Sequence, residues 1–353
     1  MSYLSRYVMR FVFGAIILVL LVLLSIDVIA AVVDGLGDVR NDYQFADVLY
    51  NVWLTLPARI YSNIAFASLI GCLIGLGILA GNSELVIMRA AGVSLLRITG
   101  FVLRPVLLII FCGVLLGEYV VPYTDQLATS RRMLLRGEQE TLSATSGVWN
   151  REGNEFIHFN GVYPNGKLFG VTRYRFSEQR EIEEVSFAAR ATYFKDYWLE
   201  EEGVVTHFEE DKTQTSEFLT RRWDSHLSPD LLTLMVMPAD SLSMGSLYNY
   251  AQYLDKQEQK SSQYWLAFWS KALQPLSILS LVLIATSFVF GPLRDATMGF
   301  KIFAGVIAGI AFQTSQQLLG PSSVVFGFSP FWAVFTPAMV CIGIGLVLLR
   351  RAA

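Results

Sequence analysis

The sequence predicts an α-helical membrane protein with six transmembrane helices and an inserted all-β, jellyroll-like domain between the third and the fourth. Three observations point there. Of the 353 residues, 53% are hydrophobic and only 16% charged, whereas a soluble domain carries about a quarter charged residues. The apolar residues gather toward the two ends of the chain, around a polar middle. That middle reads as short runs rich in Phe, Tyr, Val and Thr, without helical stripes.

A bilayer core takes about 20 apolar residues as helix. Six segments qualify, roughly 11–33, 57–80, 98–121, 265–290, 299–318 and 329–349. The first is read as a retained helix, because its apolar run exceeds the roughly 7–15 residues of a signal peptide; cleavage is the alternative. Orientation follows from Lys and Arg in short loops. With six spans, Arg6, Arg10, Arg89, Arg97, Arg294, Lys301, Arg350 and Arg351 share one side. Both termini are therefore expected in the cytoplasm, with Trp53, Trp265 and Trp332 at the opposite interface. The insert then lies outside. EFIHFN, KLFGVTRYRF, FAARATYF and SEFLTRRW read as its strands, and Asn165-Gly166 as a hairpin turn. Such strands suggest a sandwich or jelly roll. MGSLYNYAQYLDKQEQK looks helical and leads back to the membrane. The expected division is 1–122 for the first three spans with a cytoplasmic helix at 82–94, 123–262 for the β domain, and 263–353 for the last three spans.

Several chemistries are excluded. A net charge of −3 gives no basic balance for nucleic acid. Cys72, Cys112 and Cys341 each sit in an apolar segment, and His158, His207 and His226 have no ligand spacing, so no metal site is expected. GVYPNGKL at 161–168 nearly matches a phosphate-binding loop, but Leu168 replaces the Mg²⁺-binding hydroxyl and the setting is a hairpin. No catalytic residues are assigned. Asp27 lies inside the first span, where an acid is a functional candidate by default. With no second acid at mid-depth to relay a proton, a structural or partner-facing role is favoured.

One stretch stands out between two oily runs, NSELVIMRAAGVS at 82–94. Asn82 or Ser83 is a candidate helix cap. Glu84 falls in the first turn, where the helix dipole favours an acid. Leu85, Met88 and Ala91–Gly92 recur at helical spacing, Gly92 ends the helix, and Arg89 and Arg97 keep it cytoplasmic. Such a helix either lies on the membrane surface or fits a groove on a cytoplasmic partner. Periodicity leaves both open.

GLGILAGNSELVIMRAAGVS at 75–94 resembles the coupling-helix signature of the LptF/LptG permeases, the lipopolysaccharide export family. GEYVVPYTDQLA at 117–128, FWSKALQPLS at 268–277 and FVFGPLRDATMGFKI at 288–302 agree with it. The resemblance spans essentially the whole chain. It implies an inner-membrane permease, multi-pass, that is not itself an enzyme. LptF and LptG would form a pseudo-symmetric heterodimer, each with a periplasmic jellyroll. A dimeric ATPase, LptB, would sit beneath, and LptC would join from the side. The complex would extract lipopolysaccharide from the inner membrane and pass it to a periplasmic bridge. This chain would hold no cofactor, ATP and Mg²⁺ being bound by LptB.

The resemblance also implies site roles. Glu84, Leu85, Met88 and Arg89 would couple to the ATPase. Lipid A is acyl chains beneath a phosphorylated sugar pair, so a cationic rim is expected. Its candidates are Arg132, Arg136, Arg131, Arg59, Arg40 and Lys271, since arginine pairs bidentately with phosphate. Arg132 leads, because it follows the GE-x-V-x-P motif where the family carries a basic residue. The first span departs from the family, which often has lysines at its outer end; here Asp27, Asp34 and Asp38 stand with Arg40 alone. Alternatives stay open at this point: the paralogous permease of the pair, an ATPase-independent lipid carrier, or a periplasmic scaffold.

Overall fold

The computed structural model describes residues 2–37, 39, 43–135, 148–163, 167–177, 179–209, 212–225, 227–229, 232, 238–256, 259–291 and 296–352. Among the described residues, five helices are each long and apolar enough to cross a bilayer: Tyr3–Leu36, Phe45–Gly81, Leu95–Thr129, Gly299–Phe326 and Pro330–Arg351. A bent pair, Ser262–Ala272 with Gln274–Phe290, makes a sixth when the two are counted as one span. The helices outrun the apolar stretches that announce them. Helix α2 (Phe45–Gly81) has 37 residues, which at 1.5 Å rise is about 55 Å against a hydrocarbon core of about 30 Å. Once nucleated, a helix propagates through any residues that do not break it, so hydropathy marks the membrane slab and not the helix ends.

Helix α1 (Ser2–Leu36) turns Val8, Val12, Ile16 and Val19 inward and leaves Leu18, Leu21, Ile26 and Ile29 outside. It sits directly on α2 because Gly71 and Gly75 have no side chain. A Cβ at Gly71 would stand 2.5 Å from the Ile16 Cα, and one at Gly75 3.1 Å from the Val12 Cα. Small residues four apart open this kind of close packing between membrane helices. Helix α3 (Glu84–Ala90) is the short element between spans, and α4 (Leu95–Leu115) follows it. A π turn (Leu116–Val120) then leads into α5 (Val121–Leu135). Pro122 lacks the N–H that would close the preceding turn, which accounts for the wider turn there. The third span therefore carries on as helix well past residue 121, and Arg131 and Arg132 stand on it.

Among the described residues seven strands come next: β1 (Val148–Glu152), β2 (Glu155–Phe159), β3 (Gly161–Tyr163), β4 (Lys167–Phe176), β5 (Ile182–Phe194), β6 (Tyr197–Glu209) and β7 (Lys212–Trp223). They form one antiparallel sheet ordered β1-β2-β4-β5-β6-β7, with β3 also paired to β4. The expected Asn165-Gly166 turn lies outside the described residues. Lys167 of the phosphate-loop lookalike begins a strand paired with Tyr163, whereas a nucleotide loop runs into a helix. One face of the sheet buries Ile157, Phe159, Leu168, Val171, Ala191, Trp198 and Trp223 under Leu227 and Leu232. The Trp198 indole N–H donates to the Leu227 carbonyl at 2.8 Å.

The same face continues into a charge network. Arg173 bonds both oxygens of Glu200 at 2.8 and 3.1 Å, and its guanidinium lies 5.1 Å from the Trp223 ring. Arg175 reaches Glu155 at 2.6 Å and Glu184 at 3.3 Å, and Arg221 reaches Glu184 at 2.7 Å. Burial pushes the Glu200 carboxyl up, against the pull of Arg173. Burial acts on Glu184 too, but Arg221, Arg175 and Arg173 outweigh it and hold that carboxyl below its usual range.

After the strands come α6 (Met244–Lys256), α7 (Ser262–Ala272), α8 (Gln274–Phe290), α9 (Met298–Phe326) and α10 (Pro330–Ala352). The fourth span is a correction. Expected as one helix over 265–290, it bends by 50° between α7 and α8. Pro275, in the first turn of α8, removes a backbone donor and crowds the preceding carbonyl. The chain divides into two compact units. One comprises Met1–Asp38, Val48–Asp125 and Ala239–Ala353, and the other Val39–Asp47 and Gln126–Pro238. The expected β domain of 123–262 was too long at its far end: residues from Ala239 onward, α6 included, cluster with the helices. Leu247, Tyr250, Ala251 and Leu254 of α6 form the buried stripe responsible.

Candidate coupling helix and basic positions

Helix α3 has seven residues and begins after a backbone kink. Ser83 adopts φ 60°, the left-handed region, and makes no side-chain cap. The capping role expected of Asn82 or Ser83 is therefore not filled in the usual way. The Asn82 amide nitrogen approaches Glu84 Oε1 at 3.5 Å, and Tyr7 Oη on α1 donates to the same oxygen at 3.2 Å. The far end closes as expected at Gly92, with φ +83°. Gly92 N–H bonds the Arg89 carbonyl and Val93 N–H the Met88 carbonyl, at 3.0 and 3.1 Å. This paired closure with a left-handed glycine is a Schellman motif.

The faces of α3 correct the sequence reading. Leu85 and Met88 are 3% and 6% exposed and belong to the helical core. Val86 and Ile87 are 51% and 66% exposed. The stripe expected to meet a partner thus anchors α3 to its own bundle, and the outward apolar side chains are Val86 and Ile87. Arg89 is exposed. Beside α3 opens a cleft of about 490 Å³ lined by Ala80, Leu85, Val86, Arg89, Ala90, Val289 and Phe290.

The basic candidates separate into different environments. Arg59 Nη1 pairs with Asp27 Oδ1 at 3.1 Å, and the Asn63 amide lies 3.4 Å from Asp27 Oδ2. Asp27 thus has a partner inside its own chain, which joins α1 to α2. Arg131 pairs with Asp47 at 2.9 Å and stays half exposed. Arg132, one residue on, is partly buried. Lys271 is a correction: it is 8% exposed, and its ammonium donates to the Leu242 carbonyl at 2.6 Å and approaches the Gly117 carbonyl at 3.5 Å. A cation committed to backbone carbonyls in the core does not serve a rim. Arg40 and Arg136 lie outside the described residues.

Near Lys271, Glu118 accepts from the Met244 N–H at 2.8 Å, so the acid of the GE-x-V-x-P motif caps α6. Asp125 accepts from Ser241 at 2.7 Å. Both acids lie in the GEYVVPYTDQLA motif, but their partners are more than 100 residues away.

Five apolar spans, a bent pair that can make a sixth, a short interrupting helix and a β insert define a class, a multi-pass membrane protein with an inserted β domain. Comparison makes it specific. The family profile described as lipopolysaccharide export system permease LptF/LptG matches residues 6–351. The chain belongs to the LptF/LptG family and is a multi-pass inner-membrane permease. It is 31% identical over 352 residues to the lipopolysaccharide export system permease protein LptG of Escherichia coli K12, covering 99% of this chain and 98% of that protein. It is 32% identical over 342 residues to LptG of Haemophilus influenzae Rd, covering 96% of each. The pairing of SELVIMRAAGVS with FGPLR and Met298-Gly299 looks closer to LptG than to LptF, and these relatives are of the LptG type.

Proposed function

We propose that this chain is the LptG-type half of an ATP-driven lipopolysaccharide exporter, paired with LptF, seated on an LptB dimer and joined by LptC. Both termini and α3 face the cytoplasm, and the β insert faces the periplasm, a reading that the distribution of Lys and Arg supports. The complex draws lipopolysaccharide out of the inner membrane and passes it to a periplasmic bridge. The observation that carries this reading is α3 itself. It is a short helix, bolted to the bundle by Leu85 and Met88, that presents Val86, Ile87 and Arg89 outward beside the acid Glu84.

Glu84 meets a basic residue of the ATPase, and Val86 and Ile87 enter its groove as an apolar peg. ATP and Mg²⁺ are held by LptB, and this chain needs no cofactor of its own. On the lipid side, Arg131 and Arg132 stand one residue apart near the end of α5, where arginine can take phosphate bidentately. Arg40 and Arg136 remain candidates by position. Arg59 has Asp27 and Arg131 has Asp47, so phosphate must compete with a carboxylate at each. A carrier working without an ATPase would not need α3, and neither would a scaffold.

The test is co-expression with LptB, LptF and LptC, as wild type and as Glu84→Ala. Recovery of LptB with the wild type, reduced in the variant, is the expected result. If LptB never accompanies even the wild-type chain, the coupling assignment is wrong and the carrier and scaffold readings lead.

A further inference from the structure

The first turns of α1 are gripped from two elements that flank the loop at 91–94. Tyr7 Oη donates to Glu84 on α3, and Arg104 Nη1 on α4 donates to Ser5 Oγ at 2.6 Å. Val8, Val12 and Ile16 are buried in the same stretch, two of them against Gly75 and Gly71 of α2. Farther along, α1 turns large apolar residues outward at Ile26, Ile29 and Val33. The helix is thus held by α2, α3 and α4 at its start, while farther along the Asp27–Arg59 pair ties it to α2 beside these outward apolar residues.

The Glu84 carboxylate is divided between two tasks. Oε1 takes both described contacts, from Tyr7 and Asn82. Oε2 has no partner among the described residues. A carboxylate accepts at both oxygens, so one can be held from within the chain while the other meets an incoming cation. The internal donor also fixes which way the free oxygen points. Tyr7 is the donor that comes from another span, 77 residues away.

We propose that Tyr7 is a positioning residue for Glu84, and that their bond makes α1, together with α2 and α4, part of the unit the ATPase moves. This rests on the coupling role assigned above to Glu84. Displacement of α3 then pulls on the start of α1 directly, as well as through the connected spans α2 and α4. The stiff, Gly-packed first half of α1 carries that movement toward its exposed second half.

The test uses the full complex reconstituted in lipid, with wild type, Tyr7→Phe and Glu84→Ala. Tyr7→Phe keeps the ring and removes only the donor. It should still assemble with LptB, with at most a partial loss of recovery, and unfold at the wild-type temperature, while lipopolysaccharide released per ATP hydrolysed drops by about threefold or more, the scale of one lost hydrogen bond. An unchanged ratio overturns the proposal. So does loss of assembly or of thermal stability in Tyr7→Phe, which would make Tyr7 a structural residue. If Glu84→Ala abolishes LptB recovery while Tyr7→Phe behaves as wild type, only this proposal falls. If Glu84→Ala retains both LptB and the transport ratio, the coupling role of Glu84 falls and this proposal falls with it.

Discussion

Asp27 and Arg59 illustrate how one pair changes the meaning of two residues. Read singly, an intramembrane acid invites a proton relay and an arginine near the membrane edge invites a phosphate. Their 3.1 Å contact, with Asn63 beside it, makes them each other's first partner. Both side chains keep about a third of their surface, 27% for Arg59 and 36% for Asp27, so the pair is strained by neither full burial nor isolation. Asp27→Asn should cost about 1–2 kcal/mol, the range of polar contacts between membrane helices. The double change Asp27→Leu with Arg59→Leu should recover most of that, because it leaves no unmatched charge. Unfolding in detergent measures both. An Asp27→Asn variant as stable as wild type would mean that the pair holds nothing together.

At the scale of an element, α3 is apolar on two sides, and only the bundle distinguishes them. Leu85 and Met88 lie one turn apart on the inner side, Val86 and Ile87 on the outer. In a seven-residue helix the spacing 85–88 looks no different from 86–87–90, so periodicity found the helix but not its orientation. The two sides should respond oppositely to substitution. Leu85→Ala empties a packed site and should destabilise the chain by about 2–5 kcal/mol. Ile87→Asp sits at the surface and should leave unfolding within about 0.5 kcal/mol of wild type, yet weaken recovery of LptB. Thermal unfolding and co-purification on the same two variants check this. A stable Leu85→Ala beside an unstable Ile87→Asp would reverse the assigned faces. The bend between α7 and α8 belongs to the same scale: hydropathy is blind to it, although Pro275 was visible.

Over the whole molecule, two units of different character share one chain. The helical unit is held by apolar packing with small residues at its closest approaches. The strand unit is held partly by ions, and ions respond to pH. Glu200 has its carboxyl raised above the ordinary 4.5, chiefly by burial. Between 4.5 and that raised value the folded sheet binds a proton that the unfolded chain does not, and there stability rises as pH falls. Glu184, held below its ordinary 4.5 by its arginines against the opposing effect of burial, acts the other way. Below that value the unfolded chain is protonated first and stability is lost as pH falls. The strand unit should thus be most stable near the ordinary carboxyl value. Hydrogen exchange of β4–β7 in the full chain, corrected for intrinsic rates at each pH, checks this. A steady decline in protection from pH 7 downward would contradict it.

By itself the sequence determined the class: apolar spans on either side of a β insert, a short helix breaking the apolar runs at 82–94, and the glycine that ends it. These are local properties, written in runs of about 5 to 20 residues whose period or hydropathy needs no partner to be read. What only the tertiary structure decided are the long-range juxtapositions. Asp27 found Arg59, Glu118 found the start of α6, Lys271 found the Leu242 carbonyl, and Tyr7 found Glu84. Each joins residues at least 29 positions apart, and which polar groups meet depends on how helices cross and rotate. That is set by packing across the bundle, at sites such as Gly71 and Gly117 where a missing side chain lets another element approach, and no local pattern encodes it.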